Sequence, residues 1–445
     1  MCFKNKPKGV GLIILCDSLI SFINLNRQNT PLSIFIKKRV KITTPMTEQT
    51  KSTYTLWAMV KYFFTLGYSG FGGPVALVGY MHRDLVENRK WITEDDYKEG
   101  MALAQLSPGP MAAQLGIYIG FIHYGVLGAT LVGIAFVLPS FFMVLALGIA
   151  YKNYGGLSWM QAIFYGVGAA VIGIIGISAY KLTTKSIGKI NVDSFKKNWL
   201  LWLLYMVGLL MTVITGTEEI LVFIAAGLIY MFVKAPPLSM RSPKSLALFL
   251  FFMPLVWTTD NKTLWSIAVF FTKAGAFVFG SGLAIVPFLH GGVVTEFNWL
   301  NEKEFIDAVA VAMITPGPVV ITVGFIGYLV GGVVGACVAA LATFLPCYLL
   351  TVIPAPYFKK IAKNLSIKAF VDGITASVIG ALTGAVAIIG YRTFVNTEGV
   401  VDFIPIAFAV VTAVVLIKYK KVQEPHIIVV AAILGFVIKT YIIKN

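Results

Sequence analysis

In each half of this 445-residue chain a strongly apolar stretch breaks at Phe-Gly and again at Pro-Gly-Pro. The first pair of breaks is Phe71-Gly72-Gly73-Pro74 with Pro108-Gly109-Pro110, and the second is Phe279-Gly280-Ser281-Gly282 with Pro316-Gly317-Pro318. Aligned without gaps at an offset of 208, residues 57–116 and 265–324 share 17 identities in 60 positions, where chance at this composition gives about 4. Trp57 and Trp265, Gly67 and Gly275, His82 and His290, Trp91 and Trp299, Glu94 and Glu302, and Gly116 and Gly324 are among the shared pairs. One unit has been duplicated. Helix breakers repeated inside membrane-length apolar sequence point to a transport site, because they free backbone groups to bind something.

Composition excludes a soluble fold. The chain is 58% hydrophobic and 13% charged, with a mean hydropathy of +0.82, and several apolar runs are long enough to cross a bilayer. The formal charge of +16 does not indicate nucleic acid, because the bases lie in short loops between apolar runs, where Lys and Arg set orientation. Four scattered cysteines make neither a disulfide framework nor a zinc site; Cys337 and Cys347 read as packing residues. No cofactor or metal motif, Walker A sequence or hydrolase signature is present, so the chain does not read as an enzyme. Residues 1–45 resemble nothing downstream and read as a disordered or non-native extension, with Met46 as the true start.

The pattern predicts helices over 56–70, 74–88, 95–107 and 110–122, and again over 264–278, 283–295, 302–314 and 318–331. At about 12 to 15 residues each rises roughly 20 Å, short of a hydrocarbon core of roughly 30 Å, so these are half-helices. Longer segments follow at 126–151, 158–180, 199–214 and 218–233, then at 334–353, 367–390, 403–417 and 426–442. The fold class is therefore all-α: a polytopic membrane protein of two inverted-topology repeats, each with two broken or re-entrant helical hairpins followed by spanning helices. Boundaries fall at 46–197 for the first repeat core, 198–260 for connecting helices and 261–445 for the second repeat. Inversion is read from charge. The loop after the first break carries Arg83, Arg89, Lys90 and Lys98, whereas its counterpart carries Lys303 among Glu296, Glu302, Glu304 and Asp307. Equivalent loops thus face opposite sides, and an extra helix at 245–257 supplies the odd crossing.

Proline suits the first position of a helix, where its missing N–H is no loss. Pro74, Pro110 and Pro318 are therefore expected to open helices whose free N–H groups and positive dipole ends point inward, toward an anion. One such terminus contributes about 0.3–1 kcal/mol, or about 2 when partly buried, so several must converge. The candidate binding residues are Gly72, Gly73, Gln105, Ser107, Gly109 and Gln114 in the first half, and Gly280, Ser281, Thr315, Gly317 and Thr322 in the second. Glycine lets an ion reach the backbone, and hydroxyls and amides donate without adding fixed charge; the alternative for each hydroxyl is close helix packing. Lys273 either adds positive charge near the anion path or snorkels to an interface. Arg83, His82 and His290 are candidates for gating or proton coupling, against a solvated loop for Arg83 and backbone-satisfied interfacial roles for the histidines. Trp91 and Trp299 with Glu94 and Glu302 fit interfacial anchoring and helix capping.

These residues resemble the chromate ion transporter family. The resemblance rests on Phe71-Gly72-Gly73-Pro74-Val75-Ala76, Arg89-Lys90-Trp91, and Gln105-Leu106-Ser107-Pro108-Gly109-Pro110 with Gln114 and Gly116. In the second half it rests on Phe279-Gly280, Trp299-Leu300, and Thr315-Pro316-Gly317-Pro318 through Thr322. It implies an inner-membrane, multi-pass oxyanion carrier of the long two-domain type, exporting chromate on the proton-motive force and able to recognise sulfate. The chain departs from the pattern at Gly282, where proline is missing, and at Gly291-Gly292, which replace Arg83-Asp84. The alternatives left open are an inward permease for sulfate or another divalent oxyanion, and an anion channel. The expected partners are the anion, the lipid bilayer and a second copy in a homodimer, with no nucleic acid.

Overall fold

The computed structural model describes residues 54–217, 219–237, 263–277, 282, 285–358, 364–395, 400–419 and 422–442. The expectations for 1–45, the helix at 245–257, Gly280 and Ser281 lie outside these residues. Ser52–Asn445 forms one compact unit. Among the described residues it is helical, with a single isolated bridge between Val395 and Val401 as its only extended pairing. Five helices among the described residues are long and apolar enough to cross a membrane.

The first half runs α1 (Leu56–Ser69), α2 (Gly73–Met81), α3 (Glu94–Leu106), α4 (Met111–Tyr154), α5 (Ser158–Ser186), α6 (Val192–Lys197), α7 (Trp199–Thr215) and α8 (Ile220–Lys234). The second runs α9 (Thr263–Phe277), α10 (Ile285–His290), α11 (Glu302–Ile314), α12 (Thr322–Val352), α13 (Leu365–Phe394), α14 (Phe403–Lys418) and α15 (Glu424–Val437). Both α2 and α10 pass into a π-helical turn, His82–Asn88 and Gly291–Glu296. Local chemistry sets the starts. Thr55 accepts from Ala58 N–H at 3.2 Å and Thr93 from Asp96 N–H at 3.1 Å, and Asn301 with Glu304 makes a full capping box. The short α6 is capped by Asn191, with Asp193 in its first turn and Lys196 and Lys197 in its last, a distribution that matches the helix dipole.

Helices α4 and α12 are not straight rods. Tyr124 (φ −134°, ψ 15°) and Gly125 (φ 63°, ψ −154°) break α4, and Gly331 (φ −131°, ψ 20°) and Gly332 (φ 63°, ψ −155°) break α12 in the same way. The positive φ favours glycine at both corners. Each short limb folds back on its long limb: a Cβ built on Gly120 falls 2.5 Å from the Gly128 carbonyl oxygen, and one on Gly327 falls 2.5 Å from that of Gly335. The segments 110–122 and 318–331, expected to pair across Pro-Gly-Pro with the helices before them, are instead joined at these corners to the long segments after them, 126–151 and 334–353, which the sequence reads as separate spanning helices.

Lipid offers no hydrophobic drive for helix association, so the helices join where small residues let backbones touch. Gly67 of α1 lies on the Phe136 carbonyl of α4, and Gly275 of α9 lies on the Thr343 carbonyl of α12. The halves then exchange partners. Helix α5 packs on α14 and α15, while its counterpart α13 packs on α7 and α8. Gly166 of α5 meets the Ala431 carbonyl of α15 as Gly373 of α13 meets the Ala226 carbonyl of α8, and Gly173 meets Ala409 as Gly380 meets Tyr205. Helices α7 and α8, read from sequence as connectors, occupy the place that α14 and α15 take in the other half. Gly67→Ala should cost about 1–3 kcal/mol by overpacking, lowering the unfolding midpoint in detergent. Gly79→Ala, with nothing within 4 Å of its added Cβ, should leave that midpoint unchanged or raise it.

Candidate functional site

Pro74 stands in the first turn of α2, as its ring geometry favours. Pro110 and Pro318 stand one residue earlier than expected, as N-caps with extended backbone (ψ 107° and 123°). In the first half α4 begins directly at Met111, so the N–H groups of its opening turn at Met111, Ala112 and Ala113 have no intrahelical acceptor. In the second half a tight turn, Val319–Ile321, precedes α12 and engages the Ile321 N–H on the Pro318 carbonyl at 2.9 Å. Every residue over 108–120 and 315–327 is buried. The two Pro-Gly-Pro breaks are thus at the interior of the protein, and the conformation is closed around them.

The breaks of the two halves meet. Gly317 N–H donates to the Gly70 carbonyl at 2.9 Å, and Ser140 Oγ donates to the Gly67 carbonyl at 3.0 Å. Gly317, at φ +96°, has Ser140 Oγ where its Cβ would be, and Gly109 has Cys347 Sγ 2.9 Å from such a Cβ. A Cβ on Gly282 would lie 3.8 Å from Pro74 Cγ and 3.4 Å from Val320 Cγ2. Gly317 and Gly282 of the second half therefore both approach the first Phe-Gly interruption, and Gly109 lies against α12. Gly72 and Gly73 face the start of α15: built Cβ atoms lie 3.7 Å from Gln423 Cδ and 3.6 Å from Glu424 Oε2. Gln423 Nε2 also donates to Tyr80 Oη at 3.1 Å. Gln423 and Glu424 carry no local signal of this role, since only the exchange of helices between halves delivers them.

The hydroxyls read as donors are already engaged. Ser107 donates to the Leu350 carbonyl (3.2 Å), Thr315 to Val311 (2.7 Å) and Thr322 to Val319 (2.7 Å). This leaves backbone N–H groups and the Gln114 amide as the donors for an anion. Gln114 is fully buried and donates from Nε2 to the Pro108 carbonyl at 2.8 Å. Gln105 is exposed on α3, away from this cluster, and Lys273 is half-buried on α9. Arg83 is exposed, paired with Asp84 at 3.1 Å and placed over the Tyr80 ring.

His82 and His290 each bond a carboxylate, Glu94 and Glu302, at 2.9 Å through Nε2. The surrounding loops repeat as well: Lys90 and Asn298 have φ 52° and 50°, and the Trp91 and Trp299 N–H groups donate to Leu85 and Val293 carbonyls at 2.8 Å. The pairs differ in setting. The His82 side chain is 32% exposed and has Glu87 as a second partner, whereas the His290 side chain is 2% exposed and Glu302 also pairs with Arg392. Spacing alone offered Glu94 and Glu302 as capping residues; the loop geometry makes them histidine partners.

A family model described as chromate transporter matches residues 57–231 and 265–436. The chain is 61% identical over 393 residues to a chromate transport protein of Cupriavidus metallidurans, covering 87% of this chain and 94% of that one. It is 56% identical over 389 residues to a probable chromate transport protein of Synechococcus elongatus, covering 86% and 96%. It is 28% identical over 391 residues to an uncharacterized transporter of Methanocaldococcus jannaschii, covering 84% and 92%. No solved structure matches.

Two outcomes follow from this geometry. Gly317→Ala should destabilise through its clash with Ser140 and through a positive φ that costs about 1–3 kcal/mol for other residues; adding Ser140→Ala, which removes the clashing Oγ together with its bond to the Gly67 carbonyl, should recover the unfolding midpoint only in part. His290→Ala should cost about 1–3 kcal/mol by removing a buried hydrogen-bonded side chain, Glu302 keeping Arg392 as its remaining partner, against less than about 1 kcal/mol for the exposed His82 pair.

Proposed function

The chain belongs to the chromate transporter family, and we propose that it is a secondary active transporter that exports chromate across the cytoplasmic membrane. The oxyanion binds at backbone N–H groups beside the Phe-Gly-Gly-Pro and Pro-Gly-Pro interruptions. The observation that carries this reading is the buried N-terminus of α4, whose opening N–H groups face an interior closed over by Cys347 of the other half. Such groups stabilise an anion without bringing a countercharge into lipid.

Transport then proceeds by alternating access. The closed conformation holds the halves together through the Gly317 to Gly70 hydrogen bond and the Ser140 to Gly67 hydrogen bond, and opening to either side separates contacts of this kind. The halves have opposite topology, so that each presents its interruptions from its own side of the membrane. Drive comes from the proton-motive force, and sulfate shares the tetrahedral shape and charge that the site recognises.

Inverted vesicles should accumulate labelled chromate saturably when energised, and collapse of the proton gradient should stop it. Gly109→Leu should abolish accumulation while the protein stays monodisperse in detergent. Flux that neither saturates nor responds to the gradient would instead identify a channel, and sulfate accumulation without chromate accumulation an inward or sulfate-specific carrier. Single cysteines placed in the 82–98 and 290–307 loops, with the native thiols removed, should label from opposite faces; labelling from one face would refute the inversion.

A further inference from the structure

Asp307 stands apart from the other acidic residues. Sequence places it among the charges of the loop after the second break, but it lies inside α11 and is the one buried carboxylate among the described residues, at 2% exposure. Its Oδ2 accepts from Tyr151 Oη at 2.7 Å. Tyr151 belongs to α4 of the first half, so this bond ties the halves together, as the Gly317 to Gly70 bond does at the break. Asp307 is seven residues before Ile314, the last of α11, about 10 Å of helix rise from the second Pro-Gly-Pro.

Duplication shows what sets this carboxyl apart. Glu99 is its counterpart at the offset of 208; it is half-buried and is bonded by Tyr118 of its own half. Counted from the corners at Gly125 and Gly332, Phe325 answers to Tyr118 and Phe358 to Tyr151. The Phe325 ring lies 5.5 Å from that of Tyr151, and Phe358 shares an apolar cluster with Tyr118. Each site thus pairs a tyrosine with a phenylalanine from the same two positions, with the hydroxyl exchanged between them. Only at Asp307 does that hydroxyl come from the opposite half.

The charges that bear on Asp307 are Lys303, exposed, and Glu304, both on its own helix. Of the elements packed against α11, α4 brings Lys152, held over the Tyr328 ring of α12, and α5 brings Tyr165, bonded to Asp402. Lys181 and Lys185 of α5, Cys337 of α12, His426 of α15 and Glu296 of the preceding turn are exposed. Glu424 of α15 lies at Gly73, and Cys347 of α12 at Gly109.

A charge buried at such a place in a membrane protein is costly, and a proton removes it. A hydroxyl bonds a carboxylate more strongly than a neutral carboxyl, so the Tyr151 bond holds the halves together while Asp307 is ionised and loosens once it is protonated. Resting on the carrier reading above, we propose that Asp307 is the proton-coupling group of the transport cycle, with Tyr151 as the hydroxyl that links its protonation to separation of the halves. Anion loading drives the outward step. On the return, the emptied carrier binds one proton at the Asp307 carboxylate from the outer side and releases it inside.

The test uses the purified full-length chain in proteoliposomes, with labelled chromate and a pH-sensitive dye. In the wild type, chromate accumulation should follow an imposed pH gradient, with protons moving against the anion. Asp307→Asn should abolish gradient-driven accumulation and the dye signal, while keeping saturable chromate-for-chromate exchange at equal pH. Glu99→Gln should keep both activities. Tyr151→Phe should keep coupling but move the pH midpoint of accumulation upward by about half to one unit, as loss of one hydrogen bond to the charged form implies. Coupled accumulation by Asp307→Asn, loss of exchange along with accumulation in that variant while it stays folded, or coupling lost in Glu99→Gln instead would overturn the proposal and leave the transport reading intact. Wild-type chromate transport that no pH gradient affects would remove the proton drive from that reading as well, and no saturable chromate transport would remove the reading itself. Should Asp307→Asn fail to fold, the Tyr151→Phe midpoint decides, an unmoved value overturning the proposal.

Discussion

Hydrocarbon gives no partner to a backbone N–H or carbonyl, so an interrupted helix survives in a membrane only where protein covers the groups it frees. In this chain each half supplies that cover for the other. The carbonyls of Gly67 and Gly70, at the end of α1, accept from Ser140 within their own half and from Gly317 of the opposite one. Gly109 in turn is closed over by Cys347 of α12. The exchange of α5 and α13 between the outer helix pairs continues the same arrangement away from the breaks. Contacts between the halves thus complete the burial of the interruptions, and Ser52–Asn445 forms one compact unit.

This arrangement also decides which polar groups at the breaks are already engaged. The hydroxyl protons of Ser107, Thr315 and Thr322 are engaged by the Leu350, Val311 and Val319 carbonyls, so they have little left to donate. The unengaged donors are main-chain N–H groups in a buried setting, where a helix terminus is worth about 2 kcal/mol, more than at an exposed end. The halves are unequal here. A direct α-helical start at Met111 leaves its first N–H groups open, whereas the tight turn at Val319–Ile321 engages part of the second set. Duplication supplied two similar frames, and local sequence made them dissimilar in chemistry.

Much of this was legible before any coordinates. The half-helix lengths, the corners near 124 and 331, and the paired Phe-Gly and Pro-Gly-Pro breaks all follow from local rules of glycine and proline geometry. The ungapped alignment stopped at Gly116 and Gly324 because one residue is lost before Gly120 and Gly327. Beyond that point the counterparts Gly166 and Gly373, or Gly173 and Gly380, stand among many small residues and carry little signal alone. The bond between His82 and Glu94 was hidden for a different reason: a spacing of 12 is not a helical neighbour distance, and only the turn through Lys90 brings the two together.

Gln423 and Glu424 mark the limit of sequence reading. Nothing in Val422-Gln423-Glu424-Pro425 refers to Gly72 or Gly73, and the contact exists because α5 carries α15 across to the first half. The sequence by itself determined an all-helical, membrane-length, duplicated chain broken at set glycines and prolines, because those properties depend on hydropathy and backbone sterics within a few residues. Only the tertiary structure decided which half covers which break, which hydroxyls are already engaged and that Asp307 is buried against a hydroxyl of the other half. Each of those depends on which polar group a distant helix places within hydrogen-bonding reach.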